Sequence, residues 1–251
     1  MSPTRTIIVF GSGPGIGIHL ASHFATHGPF THVILLARNT SRVQSSDAVF
    51  LKQELAAHSN KDVKIDVVAI DLADLDVLPG VLIKLDGLVK RGQQDEEVVE
   101  VVVFNAARIR MTEGALDLDV KEMEEDLRTT TLSLYLIAQH YLPRLSSLHS
   151  TDPALKPALL ITNSHLPHSP IPQLLSLSLS KAAQRNMAQS FNIAFREQGV
   201  HVGLITVHGV VGEKKEDGQI RPSEIARKTW EFYEEGVEGG LEVVISGGAP
   251  K

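Results

Sequence analysis

Hydrophobic positions along this chain cluster into short continuous runs separated by longer segments with helical spacing. The runs are Ile7–Phe10, His32–Leu36, Val63–Ile70, Val98–Phe104, Ala158–Thr162, Val202–Val207 and Leu241–Ile245. Continuous rather than alternating apolar runs suit strands buried on both faces, the mark of a parallel sheet covered by helices. Between them the pattern predicts helices from the glycine-rich turn to about His27, from a polar turn to near His58, around 114–146, from about Pro172 to Gln198, and at about 222–236. A Ser/His/Pro-containing loop is expected at 146–156. Strand–helix alternation of this kind defines an α/β doubly wound sheet of the Rossmann type. No linker, repeat or low-complexity tract interrupts it, so residues 1–251 are expected to form a single domain.

Composition narrows the function classes. The 251 residues carry 24 Lys and Arg against 30 Asp and Glu, a formal charge of −6, which makes a poor electrostatic partner for nucleic acid or anionic lipid. Cysteine is absent, which excludes disulfides, thiolate nucleophiles and cysteine metal sites. No apolar run approaches the ~20 residues that span a bilayer, and the run at 6–10 is too short for a signal-peptide core. A cytoplasmic protein acting on a small molecule is the expectation.

The first run turns into the loop Gly11-Ser12-Gly13-Pro14-Gly15-Ile16-Gly17, which opens the first helix. Glycine permits positive φ there and lets backbone N–H groups approach a pyrophosphate. That context makes the loop a dinucleotide fingerprint. The second run ends in Ala37-Arg38 where an NAD enzyme usually carries a carboxylate for the adenosine ribose. A guanidinium there favours the extra phosphate of NADP(H), with Arg42 as a second candidate contact.

With Gly11, Gly15 and Gly17 in a Gly-x-x-x-Gly-x-Gly arrangement, the chain resembles the short-chain dehydrogenase/reductase (SDR) superfamily over nearly its whole length. Asp71-Leu72 resembles the family's adenine-contacting pair, Asn105-Ala106-Ala107 its Asn-Ala-Gly, and Ser180-Lys181-Ala182-Ala183 the segment with the active-site lysine. The resemblance implies a tyrosine acid, a lysine four residues later, a serine and an asparagine. Lys181 and Ser164 match. Leu177 stands at the tyrosine position and Thr130 at the asparagine position.

Hydride addition to a neutral ketone creates an alkoxide that needs a proton, and leucine has none to give. An iminium needs no acid, and a conjugated acceptor spreads its charge, so imine or activated C=C/C=O reduction fits the remaining groups. His165, His168 and His208 follow parallel strands at the end where α/β sheets bind ligands, and are candidate acids or cofactor-shell residues. No third ligand lies near His165 and His168, so no metal site is expected. His19, His23 and His27 share one helical face that reads as solvated. Arg108 and Arg110 fit either a substrate anion or structural ion pairs.

Some fungal SDR relatives of alkaloid pathways also lack the tyrosine and show a similar Gly-Pro-Gly-Ile-Gly loop. This keeps two alternatives open: a non-redox cyclase or isomerase of secondary metabolism, and a non-catalytic NADP-binding protein. The resemblance also implies subunit pairing through helices 114–146 and 172–198, as a homodimer or homotetramer.

Overall fold

The computed structural model describes residues 4–58, 62–89, 97–213 and 219–247. The ends of the expected 1–251 domain lie outside them.

Seven strands form one parallel sheet: β1 (Thr4–Phe10), β2 (Phe30–Ala37), β3 (Lys64–Ala69), β4 (Glu97–Phe104), β5 (Ala158–Ser164), β6 (His201–His208) and β7 (Glu242–Ser246), in the order β3-β2-β1-β4-β5-β6-β7. Each of the seven apolar runs supplies one strand. The helices are α1 (Ile16–His27), the single turn α2 (Thr40–Arg42), α3 (Ala48–His58), α4 (Leu78–Leu88), α5 (Val120–Leu127), α6 (Ser133–Thr151), α7 (Leu175–Phe195) and α8 (Pro222–Glu235).

The two-residue period of the strands divides the interior into two cores. Ile8, Phe10, Ile34, Leu36, Val102, Phe104, Leu159 and Ile161 face α4, α6 and α7. Ile7, Val9, Val33, Leu35, Val101, Val103 and Leu160 face α1, α3 and α8. Every one of these strand residues is fully buried, and each large aliphatic side chain so placed contributes on the order of 2 kcal/mol. At the amino-terminal edge the pattern turns polar. Thr6 donates to Glu97 at 2.7 Å, and His32 bridges Glu97 and Asp66, the latter at 2.8 Å.

The structure corrects the predicted helices in three places. α4 was not foreseen: Pro79, Gly80 and Gly87 lower its propensity, yet Leu78, Val81, Leu82 and Leu85 recur at helical spacing and are buried. The stretch predicted as helix around 114–146 begins at Val120 and widens into a π-helical turn at Arg128–Leu132. There Thr130 Oγ1 donates to the Asp126 carbonyl and Ser133 Oγ to that of Thr129 at 2.6 Å. Finally, α6 continues through the expected loop to Thr151. The hydroxyls of Ser147, Ser150 and Thr151 bond back to carbonyls one turn earlier, so residues that read as loop sit comfortably in the helix.

Strand order reverses between β1 and β4, opening the crevice in which such sheets bind ligands.

Candidate functional site

The glycine loop lies at the mouth of that crevice. Gly11 adopts φ +87, and a Cβ on it would meet the Ala106 backbone nitrogen at 2.7 Å. A Cβ on Gly17 would meet the Gly11 carbonyl oxygen at the same distance. These two glycines press the loop against β4 and start α1 close to β1. Around Gly13 and Gly15 the space is open, with no heavy atom within 4 Å of an added Cβ. No side chain caps α1 at Gly15; in its first turn the Ile18 N–H donates to the Gly13 carbonyl at 3.2 Å, which leaves the N–H groups of Ile16 and Gly17 at the helix start beside the opening left by the loop.

Gly11, Ser12, Ala37, Arg38, Asn39, Arg42, Asp71, Leu72, Asn105 and Ala106, with neighbours, line a cleft of about 350 Å³. Asn105 joins loop to sheet, its N–H donating to Phe10 O at 2.8 Å and its Nδ2 to Gly11 O at 2.9 Å. Arg38 is exposed on the cleft wall, and no described residue pairs with it. Arg42 is engaged: Nη1 donates to Asp47 at 2.7 Å and Nη2 to the Ser12 carbonyl at 2.9 Å. Arg108, on the cleft wall, pairs with Glu122, Glu125 and Asp126, and Arg110 with Glu122, as the ion-pair expectation has it.

Lys181 is buried in α7 and turned inward. Its Nζ donates to the Thr162 carbonyl at 2.8 Å and to Gln184 Oε1 at 2.9 Å. Gln184 Nε2 in turn donates to the Thr130 carbonyl at 2.7 Å, where the π turn displaces the backbone. Burial lowers the Lys181 ammonium from 10.5 to about 8. Gln184 was missed in the sequence, although its spacing of three from Lys181 puts both on one helix face. Asp47 was missed as well, being a lone acid in a polar stretch 35 positions from Ser12.

Ser164 ends β5, half-buried, its Oγ accepting from the Leu166 N–H at 3.3 Å. Leu177, one turn before Lys181, is buried. The structure brings His165 and His208 together, with ring centroids 5.7 Å apart and planes at 70°. His168 is exposed, and its backbone N–H donates to the His165 carbonyl at 3.0 Å.

Of the α1 histidines expected on a solvated face, His27 is exposed, while the other two are partly covered. His19 packs on Phe50 of α3, and half-buried His23 stacks on His27 and approaches Trp230 of α8. Desolvation pushes His23 down to about 4.

Residues 5–217 match the family model described as short chain dehydrogenase, and the chain belongs to that family. No curated protein matches it. Among solved structures it is similar to an alcohol dehydrogenase from the archaeon Thermococcus sibiricus complexed with 5-hydroxy-NADP, at 20% identity and TM-score 0.77, covering 99% of this chain and 98% of that one. It is also similar to an acetoin dehydrogenase from Salmonella typhimurium, at 17% identity and TM-score 0.77, covering 98% and 96%. A short-chain dehydrogenase from Sphingobium yanoikuyae in complex with NADPH aligns at 17% identity and TM-score 0.73, covering 96% and 87%. At these identities the likeness is one of fold.

Proposed function

We propose that the chain is an NADP(H)-dependent oxidoreductase that reduces a small organic molecule carrying an imine, an iminium or an activated C=C or C=O group. The observation that carries this reading is Arg38, exposed on the cleft wall beside Ala37 and beyond the glycine loop. A guanidinium that pairs with none of the described residues at that place suits a phosphate on the adenosine ribose. The NADP-type ligands of two similarly folded proteins support it.

NADPH, when bound, supplies the hydride. Gly13 and Gly15 leave room for the pyrophosphate, and the N–H groups of α1 offer it donors. Asp71, Leu72, Asn105 and Ala106 border the adenosine side, and Lys181 is the cation nearest in sequence pattern to the family's ribose contact. The site has a leucine where the resemblance places the acid. His165, just past β5, and His208, the last residue of β6, are therefore assigned proton delivery, and Ser164 orientation of the acceptor atom. An iminium substrate needs no proton, so its reduction is the reaction least affected by Leu177. Subunit pairing through the outer faces of α6 and α7, where Tyr135, Leu179 and Ile193 are exposed, belongs to the same reading. Sedimentation as a 27.3 kDa species would remove it.

One observation favours a second reading, a non-redox cyclase or isomerase. Two donors of Lys181 already have protein acceptors, so the lysine is accounted for without any cofactor. Calorimetric titration with NADPH and NADH, followed by an imine, enone and ketone panel, decides between them. The redox reading expects NADPH to bind more tightly and imines or enones to consume it. Efficient reduction of simple ketones, or binding of neither nucleotide, refutes it.

A further inference from the structure

Each polar group of Ser12 already has a partner within the protein. Its N–H donates to the Leu36 carbonyl at 2.8 Å, its Oγ donates to Asp47 Oδ2 at 2.8 Å, and its carbonyl accepts from Arg42 Nη2 at 2.9 Å. Asp47 is 1% exposed and takes Arg42 Nη1 on its other oxygen, at 2.7 Å. It closes a π-helical turn, Val43–Asp47, between α2 and α3. That turn carries the carboxylate inward, beneath the glycine loop and beside the cleft wall that Arg38 and Arg42 share.

Resting on the NADP(H) reading above, we propose that Asp47 is a positioning residue that sets cofactor discrimination. It clamps Ser12, and it neutralises Arg42, so that Arg38 alone is the discriminating cation for the phosphate on the adenosine ribose. Without the carboxylate, Arg42 would face the same cleft with its charge uncompensated. A phosphate dianion gains from a second guanidinium, whereas the hydroxyl of NADH gains little. The arrangement thus moderates selectivity while it fixes the loop. Ser12, expected to bind the cofactor, does so through the shape of its backbone.

The test is the ratio of the NADH and NADPH dissociation constants, measured by calorimetry on the whole chain. Asp47→Asn keeps the size and one acceptor but removes the charge. It is expected to raise the ratio about tenfold, the effect of one charge-assisted hydrogen bond. Arg42→Gln leaves the buried carboxylate unpaired near the phosphate and lowers the ratio. The double variant, with net charge unchanged, returns it close to the wild-type value. Arg38→Gln lowers it whatever stands at 47. A residue that only braced the loop would weaken both nucleotides equally and leave the ratio in place, which would overturn the proposal. Should Asp47→Asn not fold, Arg42→Gln decides alone, and an unmoved ratio there overturns the proposal too. A wild-type chain that binds neither nucleotide overturns the cofactor reading itself, and this inference with it.

Discussion

Replacing Lys181 with methionine is expected to stabilise the protein while weakening nucleotide binding. Burial brings the ammonium from 10.5 to about 8, so holding it charged at neutral pH costs about 3 kcal/mol, at roughly 1.4 kcal/mol per pKa unit. Methionine fills much of the same volume without charge. It forfeits the bonds to the Thr162 carbonyl and Gln184 Oε1, at about 1 kcal/mol each. Gln184 itself stays held by the Thr130 carbonyl. The balance is a gain of about 1 kcal/mol, read by urea unfolding through the fluorescence of the single tryptophan, Trp230. pH adds a second signature. Between about 8 and 10.5 the unfolded lysine keeps its proton and the folded one has lost it, so the unfolded state binds more protons and stability rises with pH. The wild type shows that rise, and Lys181→Met lacks this lysine's part of it. A variant that loses 2 kcal/mol or more, at roughly the cost of a broken buried network, and binds NADPH as before would refute the reasoning. Lys181 would then be a brace between α7 and β5.

Gly17→Ala brings a Cβ within 2.7 Å of the Gly11 carbonyl and should cost about 2 kcal/mol of stability in thermal unfolding. Gly13→Ala meets no protein atom within 4 Å, so any loss there should appear in nucleotide titration and not in the melting curve. Desolvation pushes His201 down to about 4. From pH 6.5, its ordinary value, down to that point the unfolded chain takes up a proton that the folded one refuses. Stability therefore falls with acidification by up to about 3 kcal/mol at this site, and His201→Gln should flatten the fall in pH-dependent urea curves. Leu177→Tyr restores a phenol four residues before Lys181 and should raise ketone reduction about a hundredfold. No gain on a ketone panel would place the limit in the shape of the pocket.

The strands at the centre of the sheet were legible because burial on both faces leaves continuous apolar stretches in them, as Ile7–Phe10 and Val101–Phe104 illustrate. The helices were less so wherever side chains repair what propensity predicts against. Ser147 and Thr151 read as loop but bond to their own helix, and Leu78 to Leu85 form a turn-by-turn stripe despite Pro79 and Gly80. In the candidate site, the glycine loop, Arg38, Asp71 and Asn105 could be found because each is tied to a strand end. The partners of Ser12, Arg42 and Lys181 could not. Asp47 reaches Ser12 only through a local widening of the helix, and Thr130 serves through its carbonyl, which no residue type announces.

Along Ile7–Phe10 of β1 and Val101–Phe104 of β4 both sides are apolar, so hydropathy alone does not tell one register from the next there. A slip of one residue would exchange Ile7 and Val9 for Ile8 and Phe10 without exposing a polar group. What distinguishes the two faces is bulk, since Phe10 and Phe104 point to one core and Val9 and Val103 to the other. The polar ends then act as stops. Thr6 and His32 meet Glu97 and Asp66 at one edge, and Gly11 fits against Ala106 at the other, in a single alignment. The sheet is therefore tolerant of aliphatic exchange along Ile7–Phe10 and Val101–Phe104, and its one irregularity against β4, where the pairing passes from Thr6–Val99 to Ile7–Val101 over Glu100, lies at the polar end; a residue added between that point and Gly11 would carry the cleft out of line with the strands that support it.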